Sequence, residues 1–160
     1  MDPETVARIL KNKALTVAVA ESCTGGCLSN LLTNVSGSSE YFLLGVIAYS
    51  NASKVNILGV KEASLRRFGA VSGKVALEMA GGIKLLSGAD IGIGITGIAG
   101  PTGGTKVRPI GLVYIALVAG NKKVSRRFNF KGSRQAIKSQ ASQAALTLLR
   151  NICASLSQSN

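Results

Sequence analysis

Hydrophobic and polar positions along the chain follow two different repeats, one typical of buried strands and one typical of amphipathic helices. Apolar, often β-branched runs predict strands near residues 15–20, 44–49, 90–95 and 110–118, and mostly alternating apolar and polar residues predict a fifth near 123–130. Apolar residues spaced three or four positions apart predict six helices, near residues 3–12, 25–34, 51–58, 62–68, 72–87 and 134–156. The alternation of the two kinds of element indicates an α/β fold.

The pair Gly120-Asn121 indicates how the last two strands are joined. Gly-Asn is typical of a tight hairpin turn, which requires positive φ and makes its strands antiparallel. Helical segments separate the earlier strands and favour parallel pairing. No repeat, low-complexity tract or proline-rich linker divides the sequence. We therefore expect residues 1–160 to form a single three-layer α/β domain, with a mixed, partly parallel sheet of about five strands and helices on both faces.

The composition predicts a compact core and no export or membrane signal. Of the 160 residues, 46% are hydrophobic and 16% are charged, which excludes intrinsic disorder. The start, Met1-Asp2-Pro3-Glu4, is acidic where a secretory signal is basic, and the longest apolar stretch, 110–120, is shorter than the roughly 20 residues that span a bilayer. Cys23, Cys27 and Cys153 lack partner ligands for a metal site, and we interpret them as reduced thiols. A cytoplasmic protein without membrane contact or metal is expected.

The charge is large and unevenly distributed. The formal net charge is +12, and all seven acidic residues precede residue 91. Such a field attracts phosphorylated ligands and polyanions, but it serves solubility equally well, so both interpretations stay open. Aromatic residues make up only 4% of the chain and offer few stacking surfaces, which makes single-stranded nucleic acid an unlikely partner.

The first predicted strand leads directly into the segment Glu21-Ser22-Cys23-Thr24-Gly25-Gly26. A strand, a polar turn and a following helix bring a hydroxyl and several free N–H groups to one ligand. The chain contains no histidine, which excludes a Ser-His-Asp triad and leaves lysine as the leading candidate for a base. Ser22 and Cys23 are both candidate nucleophiles. Because neighbouring strand residues tend to face opposite ways, we expect only one of them to reach a substrate.

Two further strand ends carry polar groups. Ser50 or Asn51 can cap a short helix with Lys54 near its start, so that Tyr49 and Lys54 share one side. Thr96 and Gly97 stand where another strand meets a glycine-rich turn, a position that suits a ligand at the carboxyl edge of the sheet. An ordinary surface pair and an ordinary turn are the alternatives, and they stay open here.

Two other glycine motifs match cofactor loops only by letter. The glycines at 92, 94 and 97 lie within a predicted strand, and no acidic residue follows them to bind a ribose, so a dinucleotide site is disfavoured. The segment 100–106 lacks the Gly-Lys-Ser/Thr order of a Walker motif. No cofactor is therefore expected.

Arg134 occupies a distinct position among the basic residues of the C-terminal half. It follows Gly132-Ser133 at the predicted start of the last helix. There its planar guanidinium and the free N–H groups of a helix N-terminus can together bind a phosphate or a carboxylate. The other basic residues nearby are typical of a solvated face.

Several blocks together resemble one family. The resemblance runs from about residue 15 to about residue 145, in order. The blocks are Ala20-Glu21-Ser22-Cys23-Thr24-Gly25-Gly26, Gly37-Ser38-Ser39, Tyr49-Ser50-Asn51-x-x-Lys54, Leu58-Gly59-Val60, Gly69-Ala70-Val71-Ser72, Thr96-Gly97-Ile98-Ala99-Gly100-Pro101 and Pro109-Ile110-Gly111. In these blocks the chain resembles the CinA C-terminal-domain family, in its stand-alone form.

The resemblance implies an activity: hydrolysis of nicotinamide mononucleotide to nicotinate mononucleotide and ammonia, in pyridine-nucleotide recycling. It implies Ser22 as the nucleophile, Lys54 and Tyr49 as its activating partners, and Thr96 and Arg134 as pocket residues. A homo-oligomer is also expected. The alternative is a non-catalytic module of the same fold that binds nucleotides or nucleic acid. Where family members often have Gly-Asp-Arg, this chain has Gly132-Ser133-Arg134 and lacks a carboxylate that would hold the arginine.

Amide hydrolysis sets demands on these residues. The N–H groups around Thr24, Gly25 and Gly26 are the expected oxyanion site, and Gly97 is expected to contact substrate. A lysine with the ordinary pKa of about 10.4 is neutral in only roughly 1 molecule in 2500 at pH 7. Lys54 must therefore lie in a desolvated or cation-flanked pocket to act as a base.

Overall fold

The computed structural model describes residues 1–156. The five strands are β1 (Val17–Glu21), β2 (Phe42–Ile47), β3 (Ile91–Gly97), β4 (Leu112–Ala119) and β5 (Lys122–Asn129). The helices of the described part are α1 (Pro3–Asn12), α2 (Cys27–Thr33), α3 (Asn51–Leu58), α4 (Glu62–Phe68), α5 (Gly73–Ser87) and α6 (Arg134–Ser155), with a 3₁₀ turn at Ser38–Glu40. Each predicted strand and helix is present, within a few residues of its predicted bounds.

The strands form one mixed sheet in the order β2-β1-β3-β4-β5. β1 pairs in parallel with both β2 and β3, and β4 pairs antiparallel with β3 and with β5. The turn at Gly120-Asn121 joins β4 to β5, as its residues predict. Because β1, β2 and β3 are parallel, their carboxyl ends meet at one edge of the sheet.

Helices cover both faces of the sheet, which confirms the predicted three-layer α/β fold. On one face, α1, α2 and α6 pack on a core that includes Leu10, Ile93 and Leu149. On the other face, α5 packs on the sheet through Met79 and Ile83. Amphipathic periodicity therefore predicted these layers correctly, because each helix buries one apolar stripe.

α5 lies unusually close to β3, and two glycines make this approach possible. A Cβ added at Gly92 would overlap the carbonyl oxygen of Ala80, and one added at Gly94 would overlap that of Ala76. The alternation of glycine with isoleucine in β3 thus serves helix packing, not dinucleotide binding.

The start of α2 differs from the prediction in a way that shapes the cleft. α2 begins at Cys27, two residues later than predicted, because Gly25 and Gly26 have φ of 58° and 94°. These left-handed conformations do not continue a helix, and glycine adopts them without strain. Residues 22–26 therefore form a separate turn between β1 and α2.

Candidate active site

A cleft of about 270 Å³ opens at the carboxyl ends of β1, β2 and β3. Ser22 follows β1, Lys54 lies near the start of the helix that follows β2, and Thr96 lies near the end of β3. The parallel pairing of the three strands brings these distant residues together. Of the nine residues expected to act in catalysis or substrate binding, six line this cleft, namely Ser22, Tyr49, Lys54, Thr96, Gly97 and Arg134.

Lys54 and Ser22 form a buried hydrogen-bonded pair. The Lys54 Nζ lies 3.1 Å from the Ser22 Oγ, and it also donates to the main-chain oxygens of Ala48 at 2.8 Å and Tyr49 at 3.3 Å. The Lys54 side chain is only 2% exposed, and none of the three ion pairs in the described part of the chain involves it. Burial therefore lowers the pKa of Lys54 below its ordinary value.

The position of Lys54 follows from the local sequence of α3. The Ser50 Oγ accepts a hydrogen bond from the Ser53 amide, and the Ser53 Oγ accepts one from the Ser50 amide. This reciprocal capping box fixes where α3 begins. Lys54 consequently projects from the first turn toward the end of β1.

Glu21 holds the turn that carries Ser22, a role that sequence reasoning missed. Its fully buried carboxylate accepts hydrogen bonds from the amides of Gly26 at 3.0 Å, Leu28 at 3.2 Å and Ser29 at 2.8 Å, and from the Ser29 Oγ at 2.7 Å. The carboxylate thus satisfies donors at the start of α2 that have no partner within the helix. An acidic residue at the end of an otherwise apolar strand was the available signal.

Thr24, Gly25 and Gly26 lie in this turn and are not among the residues that line the cleft. The Gly25 amide donates to the Ser22 oxygen, and the Gly26 amide donates to Glu21. Neither amide is free in this arrangement to hold an oxyanion. Within residues 1–156, the amides of Cys23 and Thr24 donate to no main-chain oxygen.

Cys23 lines the cleft together with Ser22. Strand alternation does not apply to these two residues, because β1 ends at Glu21 and both lie in the turn beyond it. That only one of them reaches a ligand stays a prediction. Burial raises the pKa of the Cys23 thiol to about 12, and the nearby Glu21 carboxylate adds to this effect. Cys23 is therefore a thiol at neutral pH, and the thiolate needed for attack is disfavoured.

Arg134 bridges two walls of the cleft. Its guanidinium donates to the Gly100 oxygen at 2.6 Å and to the Tyr49 hydroxyl at 2.7 Å. The preceding Ser133 caps α6 by accepting from the Ala136 amide at 3.2 Å. Ser133 therefore caps α6, and the Gly100 oxygen and the Tyr49 hydroxyl hold the arginine in place of the carboxylate that the family resemblance implies.

Thr96 and Gly97 shape the floor of the cleft. The Thr96 Oγ1 donates to the Ala70 oxygen at 2.9 Å and so ties the segment before α5 to β3. A Cβ added at Gly97 would lie 2.7 Å from the Leu112 oxygen, so a larger residue does not fit there. Both residues therefore fix the floor of the cleft, against which a ligand would lie.

The charges that line the cleft are all positive. Lys54 and Arg134 line it, and no carboxylate does. An anionic ligand would therefore be attracted to this edge of the sheet. No group of three or more His, Cys, Asp and Glu side chains suitable for a metal occurs in the part of the chain that the structure covers. Over the same residues, no helix is long and apolar enough to cross a bilayer.

The fold and the cleft define a three-layer α/β protein with a buried serine–lysine pair at the carboxyl edge of its sheet. The sequence model of the CinA C-terminal domain family matches residues 2–153, and the chain belongs to this family. The family resemblance of the sequence motifs is thereby confirmed.

Curated relatives and solved structures agree with this assignment. The chain is 48% identical to a CinA-like protein of Kosmotoga olearia and 50% identical to one of Thermotoga maritima, each over 147 residues, or 92% of this chain. It spans only 36% of the length of those relatives.

Two crystal structures cover nearly the whole chain. The competence/damage inducible protein CihA of Agrobacterium tumefaciens has a TM-score of 0.89 at 37% identity, covering 95% of this chain and 96% of that one. A CinA superfamily protein of Klebsiella pneumoniae has a TM-score of 0.93 at 35% identity, covering 96% of each chain. The fold is therefore that of the CinA superfamily.

Proposed function

We propose that this protein is a metal-independent amidohydrolase that converts nicotinamide mononucleotide to nicotinate mononucleotide and ammonia. The observation that carries the proposal is the 3.1 Å contact between a buried lysine amine and a serine hydroxyl inside an anion-attracting cleft. A serine–lysine pair is an established way to activate a serine when histidine is absent. The choice of substrate rests on the family resemblance.

The two main-chain oxygens that bind Lys54 support a role as a base. A neutral amine has two N–H bonds and one lone pair. If the two N–H bonds point to the oxygens of Ala48 and Tyr49, the lone pair points to the Ser22 Oγ. The site thus orients the neutral amine for proton transfer, and burial increases the fraction of neutral amine.

The proposed reaction has two steps. In the first, the Ser22 Oγ attacks the carboxamide carbon while Lys54 takes its proton, and the resulting ammonium then gives that proton to the amide nitrogen, which leaves as ammonia when the C–N bond breaks. This leaves an ester between Ser22 and the nicotinate carbonyl. In the second, Lys54 takes a proton from water as the water oxygen attacks the ester, and Ser22 leaves with that proton. The amide of Cys23, which lines the cleft and donates to no main-chain oxygen, is the candidate oxyanion donor.

Arg134 is the proposed receptor of the substrate phosphate. Its guanidinium faces the cleft and is held by neutral groups, so its charge is not neutralised by a carboxylate. The family resemblance implies Tyr49 as a partner of Ser22. The contacts of Tyr49 support a different role: its main-chain oxygen accepts a hydrogen bond from Lys54, and its hydroxyl accepts one from Arg134.

A cytoplasmic location belongs to the same proposal. All three cysteines are free thiols, and reduced thiols are typical of cytosolic proteins. No cofactor is required by the proposed steps.

A non-catalytic nucleotide-binding or nucleic-acid-interacting module is the alternative. The cationic cleft favours this function as much as it favours an anionic substrate. In that case Lys54 stays an ammonium that donates to all three of its oxygen partners, and Ser22 only binds ligand.

Ammonia release from nicotinamide mononucleotide separates the two functions. We expect turnover by the wild-type protein and its loss in Ser22→Ala and Lys54→Met, with retained turnover in Ser139→Ala, which changes an exposed serine outside the cleft. Binding of the mononucleotide without ammonia release would support the binding module. Binding is measured by calorimetry with the same variants.

A further inference from the structure

The basic residues within the strands are confined to β5. This strand carries Lys122, Lys123, Arg126 and Arg127 among its eight residues, and all four are exposed. The other four strands contain no lysine or arginine. β5 lies at one edge of the sheet, where it pairs with β4 alone. One edge of the sheet is therefore strongly cationic.

The charge of this edge is not offset by neighbouring carboxylates. None of the three ion pairs found within residues 1–156 involves a residue of β5. The sequence contains no acidic residue after Asp90. Glu78 of α5 accepts hydrogen bonds from the Lys61 amide and the Ser64 hydroxyl, so its carboxylate lies on the α4 side of α5. The β5 edge consequently attracts anions.

Two of these cations share the face of the sheet that α5 covers in part. Ser125 lies on this face, because a Cβ added at Gly73 of α5 would lie 3.0 Å from the Ser125 Oγ. Alternate residues of a strand face the same way, so Lys123 and Arg127 lie on this face as well. They are separated by four residues, or about 13 Å along the strand.

Lys84 of α5 adds a third cation on this face. A Cβ added at Gly92 of β3 would lie 2.7 Å from the Lys84 Cβ, which places Lys84 directly over β3. Gly92 pairs with Val118, and Val118 pairs with Lys123. Lys84 and Lys123 thus start two strands apart, or about 10 Å. Three cations therefore border the shelf that β4 and β5 form beside α5.

The shelf lacks the side chains that anchor a protein partner. Protein interfaces depend on a few large apolar or aromatic side chains that become buried. None of the exposed large hydrophobic residues in the described part of the chain lies on β4 or β5. Contacts to phosphates need only cations and hydrogen-bond donors. Unpaired bases require aromatic surfaces for stacking, and aromatic residues make up only 4% of the chain. The shelf therefore fits the phosphate backbone of a duplex.

We propose that the shelf formed by β4, β5 and α5 is a sequence-independent binding surface for duplex DNA. The spacing of about 13 Å between Lys123 and Arg127 is close to the width of the major groove, about 12 Å, so the two reach phosphates on its opposite sides. Lys84 reaches a third phosphate. Charged side chains also keep a sheet edge from pairing with other strands, but that role does not require cations from α5. The surface lies outside the cleft, so the inference does not depend on the proposed function.

Neutral substitutions test this surface. Lys123→Gln and Arg127→Gln are made singly and together. The matched control is the double variant Arg8→Gln/Lys61→Gln, which removes the same two charges at exposed positions, one on α1 across the sheet and one at the start of α4. Binding of a labelled duplex of about 30 base pairs is followed by fluorescence anisotropy from about 50 mM to about 200 mM salt, because phosphate contacts weaken steeply over this range.

We expect the wild type and the control to bind with a slope of log K against log salt of about −3, since each of three phosphate contacts contributes about −0.9. Each single variant should reduce the magnitude of this slope by about 1, and the double variant should bind at least about tenfold more weakly at 50 mM salt. Circular dichroism establishes that each variant is folded.

Three results would overturn the proposal on the side of the protein: a wild type that does not bind the duplex at about 100 μM and 50 mM salt, a slope that is unchanged in both single variants, or a loss of binding in the control equal to that in the β5 double variant. Polyglutamate provides the test of the ligand. If it displaces the duplex at an equal concentration of charge, the surface recognises an acidic protein, and the assignment to DNA is wrong.

Discussion

Replacing Glu21 by glutamine tests how the turn at Ser22 is built. The carboxylate is fully buried, with two donors at each oxygen: the Gly26 and Leu28 amides at one, and the amide and hydroxyl of Ser29 at the other. A glutamine keeps one acceptor oxygen and places an NH₂ group against the other pair of donors. If the NH₂ group faces Gly26 and Leu28, both amides lose their acceptor; if it faces Ser29, the hydroxyl can turn to accept from it, and the Ser29 amide alone loses its acceptor.

The expected loss of stability follows from these contacts. A buried donor left without an acceptor costs about 1–3 kcal/mol, and a neutral amide recovers part of that because it is easier to bury than a carboxylate. We therefore expect Glu21→Gln to lower the free energy of unfolding by about 1–3 kcal/mol. For a chain of this length that corresponds to a fall in Tm of about 2–12 °C.

The assay is urea denaturation followed by circular dichroism, with Ser29→Ala as the matched control. Ser29→Ala removes one of the four hydrogen bonds and leaves no donor unpaired at Glu21, so a loss of about 1 kcal/mol is expected. At a temperature where Glu21→Gln is folded, its kcat for ammonia release should fall more than its KM changes, because the turn that the substitution disturbs carries Ser22, the proposed nucleophile. An unfolding free energy within about 0.5 kcal/mol of the wild type would refute this account of the turn.

Three further predictions concern the cleft. Because burial lowers the pKa of Lys54, kcat/KM should rise with pH through a midpoint below the ordinary lysine pKa, as a pH–rate curve would show. The free energy of unfolding should also rise with pH between the folded and unfolded pKa values of Lys54, because the unfolded chain binds more protons there. Denaturation curves measured at several pH values check this second expectation. Arg134→Ala should raise KM more than it lowers kcat, and Tyr49→Phe should raise KM less and add little in the Arg134→Ala background, as steady-state kinetics would measure. Cys23→Ala should lose less than about tenfold in kcat, because the thiol with a pKa of about 12 is not the nucleophile.

The layers of the fold were predictable because they depend on local periodicity. The stripes of α5 and α6 reflect burial on one side, and the alternation of glycine with isoleucine in β3 reflects the close approach of α5 to one face of a strand that is buried on both. These signals lie within each element. The proximity of Ser22 and Lys54 was predictable for a different reason. Parallel strands place their carboxyl ends at one edge, so residues 32 positions apart meet there.

The contacts that were not predicted depend on tertiary structure. The hydrogen bond between Arg134 and Tyr49 joins residues 85 positions apart, and no local pattern encodes it. Glu21 stands out in the sequence as an acidic residue at the end of an apolar strand, but acidic residues are seldom fully buried, and the four donors that its carboxylate binds are not encoded by any local pattern. Gly25 and Gly26 were assigned to the oxyanion site because free amides are typical of such turns, but in this turn their amides already have acceptors.

The reactivity of Ser22 toward a fluorophosphonate probe tests the central claim most directly, because it needs no knowledge of the substrate. The labelled residue is identified by peptide mass spectrometry, and the labelling rate is followed against pH. A Ser22 activated by neutral Lys54 is labelled in the wild type and in Ser139→Ala, faster as pH rises, and at a rate at least about 100-fold lower in Lys54→Met. An unlabelled Ser22, or a labelling rate that is the same with and without Lys54, would contradict the account.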